Sequence, residues 1–221
     1  MPRGPDGEMR SADLLGAANK VTKIANGALG LGGIPVGVGS LREMSDTANA
    51  IHMYLAAKDR NRPWLMERSF ATDALLEIHV HTDGISFPGR TEGIEAITDV
   101  LVRRFGGDFE NVYTICLSAA PDPVVERFSC PWLVGMSRKD DGTVRVGFGQ
   151  YSWTFRSEEP RLVRHLSIAI EGMEILSEAH TKVIMEWLSG LAWPWCPPQK
   201  AASAIPALAQ LSVIAAFLNN L

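Results

Sequence analysis

The sequence lacks the cysteine pattern of a disulfide scaffold or a zinc site. It has three cysteines, Cys116, Cys130 and Cys196, an odd number without a CxxC pair. Such a set indicates a reducing compartment. The sequence also has no Asn-x-Ser/Thr acceptor for glycosylation, which fits a protein that is not secreted. We therefore expect a cytoplasmic protein that binds no metal and no other cofactor.

A surplus of basic residues and a long apolar run are missing as well. The chain has 21 Lys and Arg against 25 Asp and Glu, for a net charge of −4. Nucleic-acid binding depends on clustered Lys and Arg that release counterions from phosphates, and the sequence has no such cluster. No apolar stretch reaches the roughly 20 residues that span a bilayer. We therefore expect neither nucleic acid nor a membrane as a partner.

Nucleotide-binding motifs are also absent, although residues 24–39 are rich in glycine. A GxGxxG motif that starts at Gly30 would need a glycine where Pro35 stands. A phosphate-binding loop would need a lysine after Gly37, and Val38 follows it. The HExxH and GxSxG motifs of other enzyme classes do not occur.

The composition divides the chain into three segments. We expect residues 1–40 to form a Gly-rich N-terminal arm that is floppy or docks peripherally. Lys20 and Lys23 leave a secretory signal open as an alternative, but the glycines that follow disfavour a helical apolar core. Residues 41–198 are predicted to form the main domain, and residues 199–221 an apolar helical tail.

The first half of the main domain alternates helical and extended patterns. Asp46 can cap a helix that continues to about Lys58, and Pro63 suits the first turn of a short second helix. The period of two in residues 75–81 predicts a strand with one buried face. The other elements predicted here are a short return strand at 85–87 and a helix that Thr91 caps, with an apolar stripe from Ile94 to Phe105, which Gly106-Gly107 ends.

The second half is rich in β-branched and aromatic residues between turn signals. It predicts four long strands, at residues 111–118, 124–138, 143–156 and 162–176. Helices followed by a run of antiparallel strands indicate an α+β fold. A C-terminal helix then precedes the tail. Apolar residues at helical spacing in residues 204–218 predict a further helix that docks on its own domain or on a partner subunit.

Three motifs, in order, carry a resemblance to a known family. Tyr54 and Asp59 have the Tyr-x4-Asp spacing of a first helix. Residues 70–75, FATDAL, are similar to the family segment that leads into the sheet. Residues 149–156 and 162–166 are similar to its paired closing strands. The chain thus resembles the SnoaL-like domains of the nuclear-transport-factor-2-like (NTF2-like) superfamily.

The resemblance covers roughly residues 45–176. It implies a cone-shaped, strongly bent, mostly antiparallel sheet wrapped around N-terminal helices, here with an extra C-terminal helix. It also implies a hydrophobic pocket inside the cone and a homodimer through the outer face of the sheet. Relatives include ketosteroid isomerases, dehydratases and polyketide cyclases, together with non-catalytic members, so that the fold alone does not define the activity.

The dehydratase branch of the family implies catalytic roles for Tyr54, Asp59 and a strand histidine. Tyr54 would hold a substrate oxygen, while Asp59 and His165 would transfer the proton in cofactor-free dehydration, isomerisation or cyclisation. About 140° separates Tyr54 from Asp59 around a helix, so they share a pocket only if Asp59 lies at the helix end. The alternatives are a tyrosine at the edge of the core, a solvated aspartate and a structural histidine.

Several further residues are candidates for binding a small, largely apolar molecule. They are Trp64, Glu126, Phe128, Tyr151 and Trp153. Core packing is the alternative for the aromatic residues, and a solvated strand face, rather than a metal site, is favoured for His79 and His81. The competing function is a non-catalytic ligand-binding or protein-assembly module. An open cone in which Tyr54, Asp59 and His165 converge would favour the enzyme, and a filled cone would favour the module.

Overall fold

The computed structural model describes residues 46–221. The predicted N-terminal arm, residues 1–40, lies outside the described residues. The predicted boundary between residues 198 and 199 stays a prediction. No helix of the described part is long and apolar enough to cross a membrane.

Within residues 46–221, six strands form a single sheet. They are β1 (Phe70–Val80), β2 (Arg90–Glu92), β3 (Phe109–Cys116), β4 (Arg127–Arg138), β5 (Val144–Phe155) and β6 (Val163–Leu176). Their order is β2-β1-β6-β5-β4-β3, and all neighbours are antiparallel except β1 and β6. The pairing of β5 with β6 is irregular at Phe148/Gly149 and at Thr154/Phe155, and such irregularities bend strands. The predicted α+β class with a mostly antiparallel, curled sheet is confirmed.

Six helices accompany the sheet. They are α1 (Thr47–Asp59), α2 (Ile94–Thr98), α3 (Phe105–Asp108), α4 (Thr181–Ser189), α5 (Pro198–Ala204) and α6 (Ser212–Asn219). A π-helical stretch, Asp99–Arg104, joins α2 to α3, and the predicted short helix at Pro63 is the 3-10 helix Pro63–Arg68. Asp46 caps α1 as predicted, because its carboxylate accepts a hydrogen bond of 2.6 Å from the Asn49 amide.

Two of the predicted local elements are wrong. Residues 85–87 form no strand, because Ile85 and Phe87 turn their apolar side chains into the cone, and β2 pairs with β1 instead. Thr91 lies in β2 and does not cap a helix. Gly93 precedes α2 with a φ of 82°, a conformation that favours glycine.

Two predicted helix boundaries also differ. Gly106-Gly107 lies inside α3, and the helical segment continues to Asp108. The predicted helix over residues 204–218 is interrupted, because α5 ends at Ala204 and α6 begins only at Ser212. Pro206 follows the end of α5, and the residue before a proline is disfavoured in helical conformation.

The concave face of the sheet encloses the first hydrophobic core. Residues of α1, the 3-10 helix and the segment from α2 to α3 pack there against inward-facing strand residues. On α1, Ile51, Tyr54, Leu55 and Lys58 are buried, at the spacing of one helical face. The N-terminal helices therefore fill the cone, as the resemblance implied.

A second hydrophobic core covers part of the convex face. Helices α4, α5 and α6 pack there on Leu133, Val146, Phe148 and other outward residues of the sheet. Trp187 of α4 is buried in this core, and its Nε1 donates a hydrogen bond of 3.2 Å to the Ala201 carbonyl. The rest of the convex face carries polar side chains, including Ser152 and Ser167 and the partly exposed pair of His165 and Glu77. The structure thus leaves only part of the outer face open to a second copy.

Candidate functional site

A cavity of about 50 Å³ lies inside the cone. Most of its lining is apolar and comes from three sources: the loop at Ile85 and Phe87, the helices at Leu101 and Phe105, and the inward strand positions. The strand positions are Ile78, Trp132, Val134, Met136, Ile168, Ile170 and Met173. A dry protein cavity of about 150 Å³ is known to bind benzene, and pockets for larger ligands span about 300–1,000 Å³. The cone is therefore nearly filled by its own side chains.

One end of this cavity is polar. Its lining includes Tyr54 and Lys58 from α1, Thr114 from β3 and Tyr151 from β5. Tyr54 and Lys58 are four residues apart, so that both point from the same helical face. The Tyr54 and Tyr151 rings pack edge to face, with 6.3 Å between their centres. Two elements of the sheet and one helix thus bring hydrogen-bonding groups to a single point.

A buried ion pair anchors this polar end. Lys58 Nζ lies 2.7 Å from Asp59 Oδ1 and 2.7 Å from Thr114 Oγ1, and 4.7 Å from the centre of the Phe105 ring. Asp59 also accepts hydrogen bonds of 2.8 Å from the Thr114 amide and the Thr114 hydroxyl. The two charged side chains are only 7% and 4% exposed. Burial of such a pair is tolerated because each charge has a partner and further hydrogen bonds.

The titratable groups at the cavity are hydrogen-bond donors. Burial raises the pKa of Tyr54 and that of Tyr151 well above the ordinary value, so that both hydroxyls stay protonated at neutral pH. Lys58 carries a charge balanced by Asp59. Within the described chain, the cavity lining contains no histidine, aspartate or glutamate. The polar end can therefore donate to an acceptor oxygen, but it offers no free base.

The structure separates His165 from the predicted catalytic group. Leu166 and Ile168 belong to the core inside the cone, so that the alternate positions of β6, including His165, face outwards. His165 Nε2 lies 2.9 Å from Glu77 Oε2 in a partly exposed pair. The expected proton transfer between Asp59 and His165 is therefore corrected: the curled sheet stands between them, and Asp59 is held by Lys58 and Thr114.

The predicted ligand-binding residues fall into two groups. Tyr151 lines the cavity, and Trp153 is buried behind it with its ring centre 5.5 Å from that of Tyr54. Trp64 is 61% exposed, Glu126 is exposed, and neither lines the cavity. Phe128 packs edge-on against Trp195, with 6.1 Å between ring centres. Of these five residues, only Tyr151 therefore lines the cavity, and the binding role of the others stays a prediction.

Sequence reasoning missed Lys58, Thr114 and Trp132. Lys58 had a usable signal, because it continues the face of Ile51 and Tyr54 at the i, i+3, i+7 spacing of a buried helical stripe. A lysine on such a stripe needs a buried partner. Thr114 and Trp132 had no comparable signal, since only the curl of the sheet places them at the cavity.

Comparison with known proteins supports the fold only. No family model matches the chain, and no curated protein does. Among solved structures, the chain is similar to an NTF2-like superfamily protein from Salmonella enterica, with 17% identity and a TM-score of 0.47 over 60% of this chain and 94% of that one. It is also similar to a Catenulispora acidiphila protein with a ketosteroid isomerase-like fold in complex with trimethylamine (16% identity, TM-score 0.43, 54% and 82% coverage).

A third similar structure is a hexachlorocyclohexane dehydrochlorinase, with 12% identity and a TM-score of 0.49 over 63% of this chain and 93% of that one. At such identities the likeness bears on the fold and leaves the activity open. Two of the three similar structures are described as NTF2-like or ketosteroid isomerase-like, the same group that the sequence motifs resemble.

The buried ion pair generates a prediction about stability. Asp59→Asn leaves the Lys58 ammonium without a counter-ion, so we expect the free energy of unfolding to fall by about 3–5 kcal/mol. The double variant Lys58→Met with Asp59→Asn removes both charges and should recover a large part of that loss. Urea unfolding followed by circular dichroism measures both effects.

The exposed pair of Lys182 and Glu186 on α4 is the matched control. Its atoms are 3.8 Å apart, and the side chains are 86% and 66% exposed. Glu186→Gln should change the free energy of unfolding by less than about 1 kcal/mol. Equal stability of Asp59→Asn and the wild-type protein would contradict this account of the polar end.

Proposed function

We propose that the cone binds a small, largely apolar molecule that carries one hydrogen-bond-accepting oxygen, and that it does so without catalysis. The observation that carries the proposal is the lining of the cavity: apolar walls with donors at one end. Ligand sites of this type use a few placed polar groups to orient an otherwise apolar ligand. A carbonyl or ether oxygen directed at Tyr54 and Lys58 would satisfy them.

The lining argues against the acid–base reactions that the family resemblance implied. Dehydration, isomerisation and cyclisation by proton transfer need a base within reach of a substrate proton. Asp59 already accepts three hydrogen bonds, from Lys58 and from the amide and hydroxyl of Thr114. His165 pairs with Glu77 outside the cone. A binding function does not require Asp59 or His165 to be available as a base.

Room for the ligand must come from side chains that can move. Met173 packs beside Gly147, where an added Cβ would lie 2.5 Å from the Met173 methyl carbon. Met136 also lines the cavity. Methionine adopts many shapes at a small energetic cost, so that displacement of these two side chains would enlarge the cavity. Ile85 and Phe87, on the loop between β1 and β2, close it from the other side.

We further propose that two copies of the chain pair through the uncovered part of the convex face. Ser129, Ser152 and Ser167 lie opposite one another on β4, β5 and β6, and their small side chains leave a flat surface. Light scattering should give twice the monomer mass of 24.1 kDa. Ser152→Arg should give the monomer mass, with Ser203→Arg on α5 as the control that stays dimeric. A wild-type mass of 24.1 kDa would contradict the pairing.

The ligand proposal is tested with a matched pair of probes. Cyclohexanone and methylenecyclohexane have nearly the same shape, but only the ketone accepts a hydrogen bond. We expect the ketone to bind more tightly, by about 3- to 10-fold, the ordinary net value of one hydrogen bond. Trp132 at the cavity provides the fluorescence signal for the titration.

Two tyrosine variants test whether Tyr54 is the donor that causes the preference for the ketone. Tyr54→Phe should remove the preference for the ketone, whereas Tyr113→Phe should keep it, because Tyr113 packs against the core on the convex face. Met173→Ala should tighten the binding of both probes by enlarging the cavity. The proposal fails if neither probe binds to the wild-type protein or to Met173→Ala, or if both tyrosine variants behave alike.

A further inference from the structure

A second, larger pocket opens outside the cone cavity. Its volume is about 330 Å³, within the range of small-molecule sites. It lies between the loop that carries Ile85 and Phe87, the helical segment up to Phe109, and the ends of β4 and β5. Ile85, Phe87 and Phe105 line both spaces and thus form the wall between them.

Arg145 of β5 lines this pocket, and its hydrogen bonds are only partly satisfied. Arg145 is only 8% exposed, and its guanidinium carbon lies 5.2 Å from the centre of the Phe109 ring. One terminal nitrogen donates to the Gly84 carbonyl, but Nε is buried without a hydrogen-bond partner. Among residues 46–221, no carboxylate forms an ion pair with Arg145. Burial is the largest cause that lowers the pKa of Arg145, and the nearby Arg138 lowers it further, whereas Asp141, Asp140 and Asp108 act in the opposite direction without forming an ion pair.

The other two arginines of the pocket are already paired. Arg104 Nε lies 2.6 Å from Asp99, and Arg138 makes two contacts with Asp140, of 2.6 and 2.7 Å. Asp108 is the acidic member of the lining, and it makes no ion pair with Arg145. A buried charge without a partner is destabilising by several kcal/mol. Arg145 is therefore the group in this pocket that an external anion would satisfy.

The walls restrict the kind of anion. Besides the arginines, Ser86 and Asp108, the pocket is lined by apolar residues: Ile85, Phe87, Pro88, Val100, Phe105 and Phe109. Inorganic phosphate would leave this apolar surface uncovered. An aromatic or aliphatic body would pack against it, since burial of apolar area is favourable. Arginine, in turn, presents a planar fork that matches a carboxylate.

We propose that this pocket is a binding site for a small organic carboxylate, with its carboxylate on Arg145 and its apolar body against Phe87, Phe105 and Phe109. The site is separate from the cone cavity and does not depend on the function proposed for it. The ligand would supply the counter-ion that Arg145 lacks within residues 46–221.

Calorimetric titration of the full chain with benzoate tests the site. Benzoate should bind, whereas benzyl alcohol, which has the same ring without the charge, and inorganic phosphate, which has charge without the ring, should bind at least about tenfold more weakly. These three probes need no variant. Equal affinity for benzoate and benzyl alcohol, or no heat from benzoate at millimolar concentration, would overturn the proposal.

Variants then assign the anion to Arg145. Arg145→Met removes the unpaired charge, so the variant should fold at least as stably as the wild-type protein and lose benzoate binding by about 10- to 100-fold. Arg145→Lys keeps the charge without the fork and should bind with intermediate affinity. Arg90→Met, at an exposed arginine of β2, is the control that should leave binding unchanged. Unchanged benzoate affinity in both Arg145 variants would also overturn the proposal.

Discussion

The ion pair between Lys58 and Asp59 ties the end of α1 to β3 inside the cone. Asp59 holds the Thr114 amide and hydroxyl, and Lys58 reaches the same hydroxyl. Helix α1 is thereby fixed in depth and rotation against the concave face. That rotation directs Tyr54, one turn earlier, towards Tyr151 and the cavity. The position of Tyr54 beside the cavity thus follows from this contact.

Side chains fill most of the cone on the inside, and helices cover part of the sheet on the outside. Both features limit what the cone can bind. Inside, large side chains fill most of the volume, with Met173 placed beside Gly147 and Trp132 close to Gly149. Outside, the C-terminal helices cover one part of the sheet and leave the serine-rich part open. The small cavity that remains is lined by hydrogen-bond donors at one end. Such a cavity suits recognition of an acceptor oxygen more than proton abstraction. In the proposed carboxylate site, Arg145 would add a second point of recognition outside the cone cavity.

The sequence predicted the fold well and the site only in part. Periodicity located α1 and the long strands β4, β5 and β6 to within a few residues, because each buries a regular face. The sequence pattern predicts a strand at 85–87, where the structure has a loop. A run of three residues with apolar ends suits a strand as well as a loop that turns inward. The face of the sheet on which a side chain lies is harder to predict. Tyr151 and His165 both lie on strands, and only the register across the sheet decides which of the two side chains points into the cone.

The most direct test of a donor-lined cavity is the infrared spectrum of cyclohexanone, labelled with carbon-13 at the carbonyl, when bound to the protein. Hydrogen bonds from Tyr54 and Lys58 weaken the carbonyl bond. We expect the bound ketone to absorb at a lower frequency than in an alkane solvent. A carbonyl band at the same frequency as in the alkane would show that the bound oxygen meets no donor, and would contradict the account.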